Sequence, residues 1–221
     1  MYKDSKTRNQ IIEVGRITWE LGLNSLKSGN ISVLLPNQDI LITKTGRSLR
    51  NLDPRTDLAV VPHLEPDRGE ASCEFHVHRA IYDLAGCAQG AILHCHPPCS
   101  IAASCILKRH IPPAYNEAKD VLGQTLILGS RDRESLGEDP ASIGHALSLN
   151  KIIAVKGHGT FALAETLEQC LYLTHLLENS CRVLFLRANS HQFSTLFEEP
   201  QGAPRGAVVQ RSWAAGLRVR K

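Results

Sequence analysis

The chain has 221 residues, of which 43% are hydrophobic and 21% charged, and its formal charge is +3. That is the length of one large domain with a core of its own, or of two small ones at most. So small a charge gives no case for a nucleic-acid partner, and no apolar run reaches the roughly 18 residues that a membrane span needs.

The seven cysteines follow no framework spacing, and several lie in apolar runs, as reduced core thiols do. The first residues, Met1 to Lys6, are polar and charged and do not read as a secretory leader. The expected compartment is therefore the cytoplasm. Ten histidines mildly favour metal chemistry.

In chain order, residues 7 to 24 carry Ile11, Ile12, Val14, Ile17, Trp19, Leu21 and Leu23 on one broad helical stripe, which Gly22 and Asn24 end. Gly29 and Asn30 turn the chain into a β-rich run to Leu35. Residues 36 to 39 read as a hairpin loop, and Ile40 to Thr43 as the returning strand. Thr45-Gly46-Arg47-Ser48 is a polar turn, and Asp57 to Val61 a short strand. Residues 72 to 84 read as a helix with Ser72 as N-cap and Gly86 as stop. A strand follows to His94, then an apolar helix from Cys99 to Leu107 and an extended stretch from Ile111 to Tyr115. Residues 125 to 128 read as a strand. Asp139 and Pro140 open a helix to Leu149, and Lys151 to Lys156 form a buried strand. Ala164 to Ala188 is a long amphipathic helix, and the residues after 198 read as a poorly packed tail. Alternating strands and helices with an early hairpin point to an α/β layered domain with a mixed sheet.

Gly90-Ala-Ile-Leu-His94-Cys-His96-Pro-Pro98 carries the chemistry. Side chains two apart on a strand share a face, so His94 and His96 project together and Cys95 turns away. Two imidazoles at a rigid strand end are half of a metal site; a catalytic zinc takes three protein ligands and keeps one position open. His158, between Gly157 and Gly159 just past a strand, is the candidate third ligand. Cys95 and Cys99 are rival ligands. His76 and His78 sit two apart on a helix, where they diverge. Glu74, one helix before the histidine strand, suits a general base near a metal, or a solvated carboxylate in a helix's first turn. Three imidazoles also suit cobalt, nickel, copper or iron.

Five pieces in one order carry a family resemblance: Leu23 through Ser28-Gly29-Asn30-Ile31-Ser32, then Ile42-Thr-Lys-Thr-Gly46, Ala71-Ser72-Cys73-Glu74, His94-Cys-His96-Pro97 and Lys156-Gly-His-Gly159. The chain from residue 8 to 190 resembles the class II aldolase/adducin family, in its fuculose-phosphate aldolase branch. The resemblance implies a three-layer α/β/α domain with a central mixed, largely antiparallel sheet, here residues 1–198, with 199–221 as a tail. It implies His94, His96 and His158 as ligands of one Zn²⁺ per subunit, and Glu74 as general base and resting-state fourth ligand. Gly29, Asn30, Thr45, Gly46 and Ser72 would hold a substrate phosphate. Tyr115 would serve the aldehyde oxygen from a neighbouring subunit of a homotetramer whose active sites lie at interfaces.

The activity so implied is cleavage of a ketose 1-phosphate into dihydroxyacetone phosphate and an aldehyde through an enediolate, with a small phosphorylated sugar as partner and no nucleic acid or membrane. The same fold serves methylthioribulose-phosphate-type dehydratases and sugar-phosphate 4-epimerases. A non-catalytic, adducin-like module would lack the histidines and the glutamate. Three departures bear on the substrate: Cys73 stands where the family has a serine, Arg47 adds a cation beside Gly46, and Asn116 to Asp120 is highly charged.

Overall fold

The N-terminal stripe forms α1 (Ser5–Glu20), which buries Ile11 and Val14. The computed structural model describes residues 4–87, 89–129 and 139–188. The helix stops earlier than its apolar stripe, because the Leu21 and Gly22 N–H groups turn back to the carbonyls of Ile17 and Trp19, with Gly22 at φ +69°. The expected hairpin follows as β1 (Asn30–Leu34) and β2 (Ile40–Thr43), then β3 (Leu58–Val61). Helix α2 (Phe75–Ala85) begins later than the Ser72 cap predicted. The Ser72 hydroxyl accepts from the Glu74 N–H at 3.3 Å, a local turn ahead of the helix, and Glu74 takes the N-cap position. Gly86 ends α2 in the left-handed conformation, as a C-terminal glycine does.

The histidine strand is β4 (Gly90–Cys95), followed by α3 (Pro98–Ile106), β5 (His110–Ile111), α4 (Asn116–Leu122) and β6 (Thr125–Leu128). Helix α5 (Pro140–Leu149) carries the expected cap: the Asp139 carboxylate accepts from the Ser142 N–H at 2.9 Å. The chain closes with β7 (Ile152–Val155), β8 (Gly159–Ala164) and α6 (Leu167–Ala188). Strand β8 and helix α4 lie outside the sequence-based expectation. A capping box separates β8 from α6: the Thr166 hydroxyl accepts from Gln169 N–H and the Gln169 side chain accepts from Thr166 N–H, both at 3.2 Å.

The sheet runs β3-β2-β1-β4-β8-β7-β6-β5. All pairs are antiparallel except β6 with β7. Strand alternation sends β4 to two cores. Ala91, Leu93 and Cys95 pack with Ile11 and Val14 of α1 and with Cys170 and Leu177 of α6. Ile92 packs with Phe75 and Ile81 of α2 and with Ile143 and Leu147 of α5. The architecture is therefore the expected three-layer α/β/α domain with a mixed, largely antiparallel sheet. The described residues up to Phe185 group into one compact unit. The expected tail, 199–221, lies outside the described residues.

A buried carboxylate ties α6 to the segment just after the histidines. Glu178 is 1% exposed and accepts from the Cys99 N–H at 2.9 Å and from the Ser100 N–H and hydroxyl at 2.8 and 2.9 Å. It fills the role of a cap for the first turn of α3, where N–H groups lack intrahelical partners and the helix dipole favours an anion. Glu178→Ala leaves those buried donors unmet and should lower unfolding free energy by about 2–4 kcal/mol. A thermal midpoint within about a degree of wild type would remove Glu178 from this role.

Candidate active site

Register places the polar residues. Strand pairing sets Asn30 of β1 opposite His94 of β4, and His94 opposite Phe161 of β8. All three share the face that Ile92 gives to α2. The His94 ring is wholly buried and stacks on Phe161, with ring centroids 4.0 Å apart. Its Nδ1–H donates to the Thr160 carbonyl at 3.0 Å, which leaves the Nε2 lone pair facing the site.

His96 stands just past the end of β4, its backbone N–H held by the Asn24 side-chain oxygen and the Leu23 carbonyl, each at 3.0 Å. His158 arrives from β7 through Gly157, at φ +70°. Its ring centroid lies 4.9 Å from those of both His94 and His96. One ligand nitrogen from each of the three lies within 4.8 Å of the others. Gly159 lets the rings gather: a Cβ there would run into the Cys95 carbonyl and press on the His96 and His94 rings at 3.1 and 3.2 Å.

The Nε2 atoms of His94 and His96 are 2.9 Å apart. Burial, then His96 and His158, hold His94 well below the usual histidine range; burial and His158 also lower His96, against the pull of Glu74. Neutral rings offer lone pairs, and lone pairs facing one another suit a cation between them. Glu74 Oε2 lies 3.3 Å from His94 Nε2, and its Oε1 3.7 Å from His158 Nε2. Three imidazoles beside a carboxylate fit a catalytic metal with an open position. Cys95 is no rival: it faces the other core, receives the Asn24 amide at 3.3 Å, and burial pushes its thiol up to about 12.

The expected phosphate residues lie on three segments: the Gly29-Asn30 turn into β1, the Thr45-Gly46 turn and the Ser72 segment. Gly29 sits at φ +79°, where a Cβ would meet Asn24 Oδ1 at 2.6 Å and the His94 carbonyl at 2.7 Å. An isolated bridge between Lys44 and Ala71 joins the Thr45-Gly46 turn to the Ser72 segment. Thr45 donates to the Ala71 carbonyl at 2.8 Å and accepts from Arg68 at 3.1 Å. Lys44, Thr45, Arg47, Arg68, Gly69 and Glu70 line a cavity of about 280 Å³. Arg68 escaped the sequence reading, although Arg47 in the same cavity did not. The Asn30 side chain is engaged elsewhere, bonding Glu74 and His78 at 2.5 Å each. Tyr115 caps α4 beyond the edge strand β5, and among the described residues it makes no hydrogen bond to the histidines or Glu74. Burial, then Glu117, raises its phenol.

His76 lies exposed beside Arg79, while His78 is buried and bonded to Asn30 and Ser32. Burial pushes His78 down to about 3, against the pull of Glu74. In the unfolded chain a histidine titrates near 6.5, so between those values unfolding takes up a proton that the fold excludes. This contribution to stability is full above about pH 6.5 and is lost as pH falls toward 3, at up to about 1.4 kcal/mol per pH unit. In metal-free protein, His78→Gln should flatten the fall in thermal midpoint between pH 6.5 and 4. Parallel slopes in the two proteins would contradict it.

Comparison with known proteins identifies the family and several relatives. The family model described as Class II Aldolase and Adducin N-terminal domain matches residues 9–185. The 3-oxo-tetronate 4-phosphate decarboxylase of Escherichia coli (strain K12) is 31% identical over 105 residues, 47% of this chain and 49% of that protein. The chain thus spans about half the length of that relative. The methylthioribulose-1-phosphate dehydratase of Marinobacter nauticus is 25% identical over 187 residues, 73% of this chain and 84% of that one. The crystal structure of L-fuculose-1-phosphate aldolase from Thermus thermophilus superposes with a TM-score of 0.75 at 28% identity, covering 89% of this chain and 99% of that one.

Proposed function

Because the chain belongs to the class II aldolase and adducin family, we propose that it is a zinc-dependent aldolase that opens a ketose 1-phosphate into dihydroxyacetone phosphate and an aldehyde. The observation that carries this reading is the convergence of His94, His96 and His158 on the Glu74 carboxylate, at 3.3 Å from His94 and 3.7 Å from His158. The structural likeness to a fuculose-phosphate aldolase supports it. His94, His96 and His158 would hold one Zn²⁺ per subunit, and the ion would supply Lewis-acid polarisation of the ketone and stabilisation of the negative charge that develops beside it.

The chain's own residues do the rest. In condensation Glu74 removes a proton from the carbon beside the ketone; in cleavage it returns that proton as the C–C bond breaks. The active enzyme in this reading is a homotetramer with interfacial sites, in which the partner subunit's Tyr115 would exchange the proton at the aldehyde oxygen. Gly29, the Asn30 backbone, Thr45, Gly46 and Ser72 hold the phosphate, and Arg47 and Arg68 add charge. Cys73 offers no hydroxyl there. The setting is cytoplasmic; no described helix is long and apolar enough to cross a membrane.

A second reading is favoured by the Marinobacter nauticus relative: dehydration of a methylthioribulose-type 1-phosphate, which also begins with proton removal beside a carbonyl. A panel of ketose 1-phosphates, with zinc-loaded and chelator-treated protein side by side, separates the two. Zinc-dependent release of dihydroxyacetone phosphate is the expected result. Loss of water without C–C cleavage would move the assignment to the dehydratase, and folded, metal-loaded protein inert toward the panel would overturn both.

A further inference from the structure

Behind Glu74 stands a row of polar side chains that the reaction does not touch. Helix α2 presents Glu74, His78 and Tyr82 at i, i+4 and i+8, steps of about 6 Å along the axis. Strand β1 faces it with Asn30 and Ser32, two residues and about 6.7 Å apart. The two repeats nearly match, so the strand's side chains interleave with the helix's. Asn30 Nδ2 lies 2.5 Å from Glu74 Oε2, and Asn30 Oδ1 lies 2.5 Å from His78 Nε2. His78 Nδ1 is 2.7 Å from Ser32 Oγ, which is 2.8 Å from the Tyr82 hydroxyl. Asn30, Ser32, His78 and Tyr82 are all buried.

The end of the row fixes the direction of every proton in it. A carboxylate only accepts, so Asn30 turns its NH₂ toward Glu74. The amide oxygen then faces His78, and His78 Nε2 must carry a hydrogen to bond it. A neutral imidazole has one N–H, so Nδ1 is bare and accepts from the Ser32 hydroxyl. The Ser32 oxygen accepts in turn from Tyr82 O–H. The reverse sense would set two acceptors face to face at Glu74 in a buried place, leaving a hydrogen bond unmade.

We propose that His78 is a positioning residue of this site: backed by Ser32 and Tyr82, it locks the Asn30 amide and so holds the Glu74 carboxylate toward His94 and His158. The catalytic consequence rests on the reading of Glu74 as the base; the geometry rests on the hydrogen bonds alone. A base must be aimed as well as present, and small misplacements of a reacting group are costly in rate.

Two measurements on the full, zinc-loaded chain test it. Long-range ¹H–¹⁵N correlation spectra of ¹⁵N-histidine protein read each tautomer, with His78 assigned by its loss in His78→Gln. The Nε2–H form is expected; the Nδ1–H form overturns the proposal whatever the enzyme acts on. On the ketose 1-phosphate that wild type cleaves, His78→Phe should lower kcat about 10- to 100-fold with KM and zinc content kept. His78→Gln, which retains an N–H for Asn30, should recover most of that loss. Equal kcat in all three proteins overturns the proposal. A wild type that cleaves no ketose phosphate overturns the aldolase reading instead, and the tautomer alone then decides the positioning role.

Discussion

Glu74→Gln is expected to lower kcat by about 10²- to 10⁴-fold, the range that a positioned general base supplies. The substitution is nearly isosteric. The new amide oxygen still accepts from Asn30, which bonds Glu74 Oε2 at 2.5 Å in wild type. What disappears is the capacity to take a proton from carbon. The three histidines remain, so zinc content after dialysis should stay near one per chain, and KM should move far less than kcat. That split separates a base from a ligand: a residue whose main work is holding zinc would lose metal and rate together. Unchanged turnover with full metal would remove Glu74 from the reaction. Glu74 sits at the N-cap of α2 without a side-chain cap hydrogen bond. Its carboxylate is turned into the site instead of onto its own helix, and that is the structural reason for placing it in the chemistry.

Much of this site can be read from local pattern. The strand period of two puts His94 and His96 on one face, and the flanking glycines mark His158 as a residue the backbone delivers at close quarters. The hairpin, the Asp139 cap and the Gly86 stop are likewise local signals with local causes. What stays hidden is long-range. Strand β8 is buried along most of its length, so its apolar run has no alternation and merges with the helix that follows. Ser72 looks like a helix cap because its hydroxyl does bond a nearby N–H, but the bond closes a turn before the helix starts. His78 owes its meaning to Ser32, 46 residues away, and no window on the sequence contains both. The i, i+4, i+8 spacing of Glu74, His78 and Tyr82 was the only trace of that row. Arg68 is similar: it reaches Thr45 across 23 residues through the pairing of Lys44 with Ala71.

Replacing the histidines one at a time should separate metal binding from folding. His94→Ala and His158→Ala each remove one of three imidazoles, and both should leave the dialysed protein with almost no zinc and no turnover. Their stabilities should differ. The His94 ring is fully buried, stacked on Phe161 and bonded to the Thr160 carbonyl. Removing it opens a cavity in a closed sheet face and leaves that carbonyl short of a donor, at a cost of about 2–4 kcal/mol in metal-free protein. Relief of the close approach between the His94 and His96 nitrogens, 2.9 Å in wild type, offsets part of this and favours the lower end. The His158 side chain is 26% exposed on a loop, so its loss should change metal-free stability by about 1 kcal/mol or less. Added zinc should raise the wild-type thermal midpoint and leave both variants where they were, because only a state that binds the ion gains from it. If either variant keeps full zinc occupancy, that histidine is not a ligand. If both lose zinc and both melt like metal-free wild type, the buried stacking of His94 on Phe161 contributes nothing to the fold.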